Sequence, residues 1–367
     1  MNEKPNHPNI ENQLKKFRES IDAIDEKILK ALNERAQIAQ EVGSLKNHIQ
    51  ADYYIPSREK EVLNRLLEMN PGPLSPDAVT EIFREIISAC RSLETVISVA
   101  YLGPEGTYHH SAAQAHFGRS VQFYPLDTIN SIYDEVERQR VDYGVVAIEN
   151  SIEGSVTESL DRLTHSKVNV VGERYYPISH NLISQSELHN ITAVYSHPQA
   201  IRQCRKWLES NLPKAQLIDA PSTTQAVLNC KKDPQAAAIA SALAAEIYDA
   251  PIQVRGIEDV TGNTTRFFIV GKKFNPPSGD DKTSMVVFIR DKVGALYSML
   301  EPFKNNAINL NNIVSRPTKQ EAWQYMFFIE CQGHRNDEVV KKTIEEIESN
   351  SLYVKVLGSY PRIPNPS

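Results

Sequence analysis

Between Leu14 and Leu45 the residues Leu14, Phe17, Ile21, Ile24, Ile28, Ala31, Arg35, Ile38, Val42 and Leu45 recur at alternating steps of three and four. That spacing is one sustained stripe on a single helix, about 50 Å long at 1.5 Å per residue. A helix of that length with no internal cap lies against a partner helix. Arg35 sits inside the apolar stripe, Lys46 projects near it and Arg18 lies at its edge. Burying an unpaired cation costs several kcal/mol or more, so these charges require an anionic partner. Either a carboxylate such as Glu34 or Glu41 supplies it in a coiled-coil-like pair, or a bound anion does. Arg18 and Arg35 are 17 residues apart, about 25 Å along the axis. If both serve one small ligand, Arg18 must come from a second, intertwined protomer.

The texture of the chain then changes twice. Residues 1–9 are polar and proline-bearing and read as a disordered tail. From Ile10 to about Thr95 the pattern is helical, broken at Asn70-Pro71-Gly72-Pro73, with Ser75 as N-cap and Pro76 at the first helical position of the restart. From Val96 to about Lys273 short β-rich runs alternate with helical ones, which predicts α/β structure with a mostly parallel sheet. Asn275 to Gly279 is a linker, and Thr283 to Pro361 follows the βαββαβ order of a ferredoxin-like unit. The expected domains are residues 10–95, 96–273 and 283–361.

Arg58-Glu59 opens a second helix, and Cys90 and Glu94 share one face of a third at i, i+4. With Arg18, Arg35 and Lys46 on the first helix, this segment resembles the all-helical chorismate mutases. The resemblance implies an intertwined helical domain in which Arg18 (from the partner), Arg35 and Arg58 bind two substrate carboxylates. Lys46 and Glu94 would contact the ether oxygen whose bond breaks, and Glu59 a substrate hydroxyl. An ether oxygen only accepts hydrogen bonds, so Glu94 would need a proton there. The rearrangement of chorismate to prephenate needs no nucleophile, only a compact conformer and stabilised charge. Two positions depart from the family pattern: Ile55 stands where many members have Asp, and Cys90 where some have Ser.

In the α/β segment, Gly103-Pro104-Glu105-Gly106-Thr107 follows a strand and precedes a helix. That setting serves either anion capture or a plain tight turn. Glu149-Asn150-Ser151, Ser196-His197-Pro198-Gln199 and Asn263-Thr264-Thr265-Arg266-Phe267 place polar groups at strand ends, where α/β sheets bind ligands. His197 by itself is equally a turn histidine, and no Ser-His-Asp spacing supports a hydrolytic triad. Together these motifs resemble prephenate dehydratase, which implies two α/β lobes around a cleft, similar to periplasmic binding proteins. The implied reaction removes CO₂ and the ring hydroxyl of prephenate to give phenylpyruvate. Thr265 matches the family's threonine, a proton donor or a hydrogen-bond donor to the leaving hydroxyl. Glu149, Asn150, Ser196 and Gln203 match cleft residues, Thr107 and Ser151 join them as substrate-binding candidates, and Arg266 is the natural carboxylate clamp. Ala147 stands where a proline is common.

In the last segment, Gly294-Ala295-Leu296, with Leu300, and Ser315-Arg316-Pro317 resemble the effector motifs of ACT domains, with Val314 in place of the motif's Glu. The resemblance implies a phenylalanine site; the alternative is a purely structural dimerisation module. Forty Lys+Arg against 46 Asp+Glu, a net charge of −6, gives no reason to expect nucleic acid or an anionic membrane as partner. No apolar run approaches the roughly 18–20 residues of a membrane span. Nor does the N-terminus read as a signal peptide. Cys90, Cys204, Cys230 and Cys331 are dispersed, which argues against zinc and disulfides and for a reducing cytoplasm. Neither metal nor cofactor is expected, and a homodimer or higher homo-oligomer is. Two rivals differ in class. A dehydratase with a merely structural helical domain has no need of the four cations Arg18, Arg35, Lys46 and Arg58. A non-enzymatic binding protein has no need of Thr265 or the Glu149-Asn150 pair.

Overall fold

The computed structural model describes residues 7–49, 53–290, 292–317 and 324–363. Helix α1 (His7–Ile49) is about 65 Å long; it takes in residues 7–9, which read as tail, while residues 1–6 lie outside the described residues. Helices α2 (Pro56–Glu68) and α3 (Pro76–Ser92) complete the helical part. Ser75 caps α3, its side chain accepting from the Ala78 N–H at 3.2 Å. Only the C-terminal end of α1 packs on α3. Along the rest the stripe is bare: Phe17 is 65% exposed, Ile21 56% and Ile24 53%.

The middle of the chain forms two lobes. The first contains β1 (Ser98–Leu102), α4 (Tyr108–Phe117), β2 (Gln122–Leu126), α5 (Ile129–Glu137), β3 (Tyr143–Asn150), β4 (Gly154–Ser155), α6 (Thr157–His165) and β5 (Asn169–Pro177). The second contains β6 (Asn181–Ile183), β7 (Ala193–Ser196), α7 (Pro198–Gln203), α8 (Arg205–Asn211), β8 (Gln216–Asp219), α9 (Thr223–Cys230), β9 (Ala236–Ala240), α10 (Ala242–Ile247) and β10 (Ile252–Val254). Strand β11 (Thr264–Gly271) then returns to the first lobe, giving sheet orders β2-β1-β3-β11-β5 and β10-β6-β9-β7-β8. In each of these sheet orders four of the five strands run the same way, as the alternation predicts, and one strand is reversed. β11 runs antiparallel between β3 and β5, and β6 antiparallel between β10 and β9. The reason is the double crossing: β5 carries the chain out of the first lobe and β11 brings it back in the opposite direction.

The third unit is β12 (Asp281–Arg290), α11 (Ala295–Asn305), β13 (Leu310–Pro317), β14 (Gln324–Gln332), α12 (Glu338–Asn350) and β15 (Tyr353–Pro361), with sheet order β13-β14-β12-β15. From Met285 to Ile289 strand β12 is a continuous apolar run because both its faces are covered. Met285, Val287 and Ile289 pack under α11 and α12. Val286 on the other face shares a core with Phe268, Val270 and Leu160 of the first lobe. Gly358 of β15 crosses β5 so closely that a Cβ there would lie 2.0 Å from the Val170 carbonyl oxygen. The linker is pinned as well, since the Asn275 amide donates to the Val171 carbonyl at 2.5 Å.

Candidate active sites

The helical part encloses a cleft of about 350 Å³ whose walls include Arg35, Lys46, Arg58, Glu59, Cys90 and Glu94. The long helix brings Arg35 and Lys46 three turns apart onto one side, and α2 and α3 supply the rest. Gly43 makes the approach possible: a Cβ there would come within 2.9 Å of the Glu94 Cα. Lys46 Nζ donates to Glu94 Oε2 at 2.9 Å. In this structure Glu94 is therefore an acceptor, and the donor it holds toward the cleft is Lys46. Arg58 reaches Glu61 at 2.9 Å on the exposed rim. Arg18 lies about 25 Å from Arg35 along α1, outside the cleft.

Arg91 escaped the sequence reading although it follows Cys90 and sits one turn before Glu94. It is buried, pairs with the Glu59 carboxylate, donates to the Phe117 carbonyl at 2.8 Å and lies over the Tyr54 ring at 5.2 Å. Burial pushes the Glu59 carboxyl up from its ordinary value, while the Arg91 and Arg84 guanidinia pull it down. Phe117 ends α4, so the wall of the helical cleft is bolted to the first lobe.

In the two-lobed domain, the antiparallel register of β11 against β3 sets Thr265 opposite Asn150 and Arg266 opposite Glu149. Asn150 Oδ1 accepts the backbone N–H groups of Ile152 and Glu153, both at 3.0 Å. That fixes its amide orientation, and Nδ2 then donates to Thr265 Oγ1 and Asn263 Oδ1, both at 2.8 Å. With an acceptor site of Thr265 used by Asn150, its own proton is available to donate. Asn263 donates to Gln203 Oε1 at 3.3 Å, and the same oxygen faces His180 Nε2 at 2.8 Å. His180 Nδ1 in turn lies 2.9 Å from the Tyr108 hydroxyl. Because Gln203 Oε1 accepts, His180 carries its proton on Nε2; burial holds its pKa below the ordinary value. Tyr108 and His180 were not singled out from the sequence, where only their position beside the GPEGT turn and after β5 marks them. Ser151 Oγ accepts the Thr264 N–H at 3.0 Å on the exposed rim.

Four expected cleft residues are placed differently. Thr107 is the N-cap of α4, accepting from His110 N and donating to the Leu102 carbonyl at 2.8 Å, so its hydroxyl is structural. Ser196 is fully buried, donating to the Ile239 carbonyl at 2.7 Å. Arg266 faces away from a carboxylate-clamp position. It is 4% exposed and donates to Glu173 at 2.5 and 2.9 Å and to Glu330 at 2.9 Å, with Glu149, the fourth, on the same face at 3.9 Å. Lys282 completes the group, 2.9 Å from Glu173 and 3.2 Å from Glu330. Alternation explains it: Thr265 looks toward the cleft network, so Arg266 looks to the opposite face, where β12 and β14 lie.

At the third unit, Gly294 caps α11 with φ +81, a conformation that other residues adopt only under strain. Leu296 is 44% exposed beside the buried Ala295. Ser315 is exposed, whereas Arg316 turns back to the first lobe and meets Asp161 at 3.4 Å. Val314 packs against the core shared by the first lobe and the third unit, which accounts for an apolar residue there. Pro317 ends β13, and residues 318–323 lie outside the described residues.

Residues 99–275 match the family description of prephenate dehydratase, 17–95 that of type II chorismate mutase and 283–349 that of the ACT domain. A bifunctional chorismate mutase/prephenate dehydratase of Aquifex aeolicus is 44% identical over 355 residues, covering 95% of this chain and 98% of the relative. The crystal structure of a prephenate dehydratase from Arthrobacter aurescens in complex with L-Phe is similar with a TM-score of 0.67 and 31% identity, over 72% of this chain and 90% of that one. GqqA, described as a quorum quenching acylase, has a TM-score of 0.67 at 25% identity, over 73% of this chain and 98% of that one. Since one fold hosts several chemistries, the site has to carry the function. Two polar sites on separate domains, followed by an ACT domain, define a two-site enzyme with an appended regulatory-type module. The match along nearly the whole chain makes it more specific: the chain belongs to the bifunctional chorismate mutase/prephenate dehydratase family.

Proposed function

We propose that the helical cleft rearranges chorismate to prephenate and that the two-lobed domain converts prephenate to phenylpyruvate. The observation that carries this reading is the gathering of Arg35, Lys46, Arg58 and Glu94 around one cleft, although they come from three helices. Arg35 and Arg58 hold substrate carboxylates, and Glu59, already engaged by Arg91, faces the ring hydroxyl. Lys46, held by Glu94, donates to the ether oxygen as the C–O bond breaks and the new C–C bond forms. Arg18 reaches this cleft from a second copy whose α1 covers the bare apolar stripe, so the working unit is at least a homodimer.

In the second reaction the carboxylate leaves as CO₂ and its electron pair aromatises the ring as hydroxide departs. Thr265, aligned by Asn150, either donates a hydrogen bond to the departing hydroxide or gives it a proton so that water leaves, its own hydroxyl then being reprotonated from solvent. Ser151 at the rim and Gln203 beneath complete the contacts, while Glu149, expected among them, lies on the Arg266 face. Phenylalanine binding at Gly294, Ala295, Leu296 and Ser315 regulates the enzyme, in keeping with the bound L-Phe of the Arthrobacter relative. The domains span 10–95, 96–273 and 283–361, and the protein acts in the cytoplasm. No helix among the described residues is long and apolar enough to cross a membrane.

Feeding chorismate while following both prephenate and phenylpyruvate tests the assignment. Arg35→Ala should lose the first reaction and keep dehydration of supplied prephenate, and Thr265→Ala the reverse. Loss of both reactions in a folded Arg35→Ala protein would refute the two-site reading.

A further inference from the structure

A second cleft, of about 580 Å³, lies where α3 of the helical domain meets α4, β5 and α10 of the two-lobed domain. Its walls include three arginines, Arg84, Arg119 and Arg174, and three carboxylates, Glu81, Glu85 and Glu246. The polar side chains of Ser111, Gln114 and Tyr176 line it too. Arg119 is partnered: it reaches Glu246 at 3.2 Å, and its backbone N–H donates to Glu85 at 3.1 Å. Arg84 and Arg174 are not; among the described residues no carboxylate comes within ion-pair distance of either. Glu59, Glu81 and Glu85 act on Arg84, and Glu81 on Arg174, only from further away. The Arg174 Nε is shut from solvent with no hydrogen-bond partner. Burial and the Arg84 charge together push the Arg174 guanidinium down to about 10.

Two like charges near each other, half-buried and with no carboxylate at ion-pair distance, are costly unless something negative enters between them. We propose that this interdomain cleft is a binding site for a small dicarboxylate, held by Arg84 and Arg174. Planar guanidinium forks match carboxylates two bonds at a time, and two forks match two carboxylates. Ser111, Gln114 and Tyr176 offer hydrogen bonds to the polar atoms between them. Prephenate is the dicarboxylate that the first reaction makes and the second consumes, and the cleft lies between the two domains concerned. That identification of the natural occupant rests on the function proposed above, whereas the site itself does not.

The test is calorimetric titration of the full chain carrying Arg35→Ala and Thr265→Ala, which weakens the mutase cleft and prevents turnover. Malonate is the probe, because it reports the site whether or not either reaction occurs. Saturable binding is expected, weakened about tenfold or more by adding Arg84→Gln or Arg174→Gln, as loss of a charged hydrogen-bonding partner implies. Prephenate should compete with malonate. A folded Arg84→Gln protein that binds malonate as its parent does would overturn the proposal, and so would an absence of malonate binding in the parent. Tighter binding of inorganic phosphate than of malonate would overturn the dicarboxylate assignment. Arg84→Lys, which keeps the charge but not the fork, should retain part of the affinity, giving a second reading where Arg174→Gln fails to fold.

Discussion

Glu330→Gln should uncouple the ACT domain from the dehydratase core. Arg266, Lys282, Glu173 and Glu330 form a neutral group of two cations and two carboxylates, with side chains 5%, 5%, 0% and 8% exposed. Removing one carboxylate leaves a net positive charge among groups that cannot reach water. Breaking a buried ion pair in this way costs about 3–5 kcal/mol. Glu149, 3.9 Å from Arg266 and 43% exposed, can neutralise part of the excess, which places the expected loss toward the lower end. For a unit of this size that corresponds to roughly 6–20 °C in Tm. The double variant Lys282→Met/Glu330→Gln restores neutrality around Arg266 and Glu173 and should regain most of the loss, since well-packed apolar replacements of buried pairs are often neutral. The assay is a thermal melt of four proteins, the parent, Glu330→Gln, Lys282→Met and the double variant, with prephenate dehydration measured alongside. A Glu330→Gln shift below about 1 kcal/mol, or a double variant as unstable as the two single changes added together, would refute the coupling.

Other outcomes follow from the same physics. Gly358→Ala should destabilise the contact of β15 with β5 by about 1–3 kcal/mol or more, because the clash is with a backbone carbonyl that cannot rotate away; an unchanged melt in Gly358→Ala counts against that contact. His109, its Nε2 buried without a partner, is held down to about 4 by burial. A histidine kept neutral in the folded state contributes stability that is whole above its unfolded pKa of about 6.5 and is lost as pH falls toward 4, up to about 3 kcal/mol. Urea unfolding at pH 7 and pH 4.5 should therefore show a shallower acid loss for His109→Phe, and parallel pH profiles would exclude this origin. Phenylalanine should bind the full chain in a calorimeter; no heat up to millimolar concentration would mean that the ACT domain here is only structural.

Much of this protein is written locally. Apolar spacing from Leu14 to Leu45 is a property of one helix, and Ser75-Pro76 announces a helix start regardless of what surrounds it. The βαββαβ order of the last unit is equally legible, whereas the gathering of Arg35, Lys46, Glu59 and Glu94 in one site is what the resemblance to the helical chorismate mutases implies. Arg91 is not legible: a lone arginine on an amphipathic helix reads as solvated until Phe117 and Tyr54 are seen to close over it.

The sequence by itself determined the helices, the three-part order and the residue types that carry each chemistry. Tertiary structure decided which of those residues meet. Thr265 and Asn150 are 115 positions apart and bond at 2.8 Å only because β11 returns from the second lobe to lie against β3. The same register turns Arg266 to the face where β12 and β14 pack, and so makes a residue expected in the cleft into the tie between two domains. Periodicity and capping depend on neighbours within a turn or two, so a sequence displays them. Strand pairing is chosen by contacts between distant segments, and a shift of one residue would exchange the faces of Thr265 and Arg266.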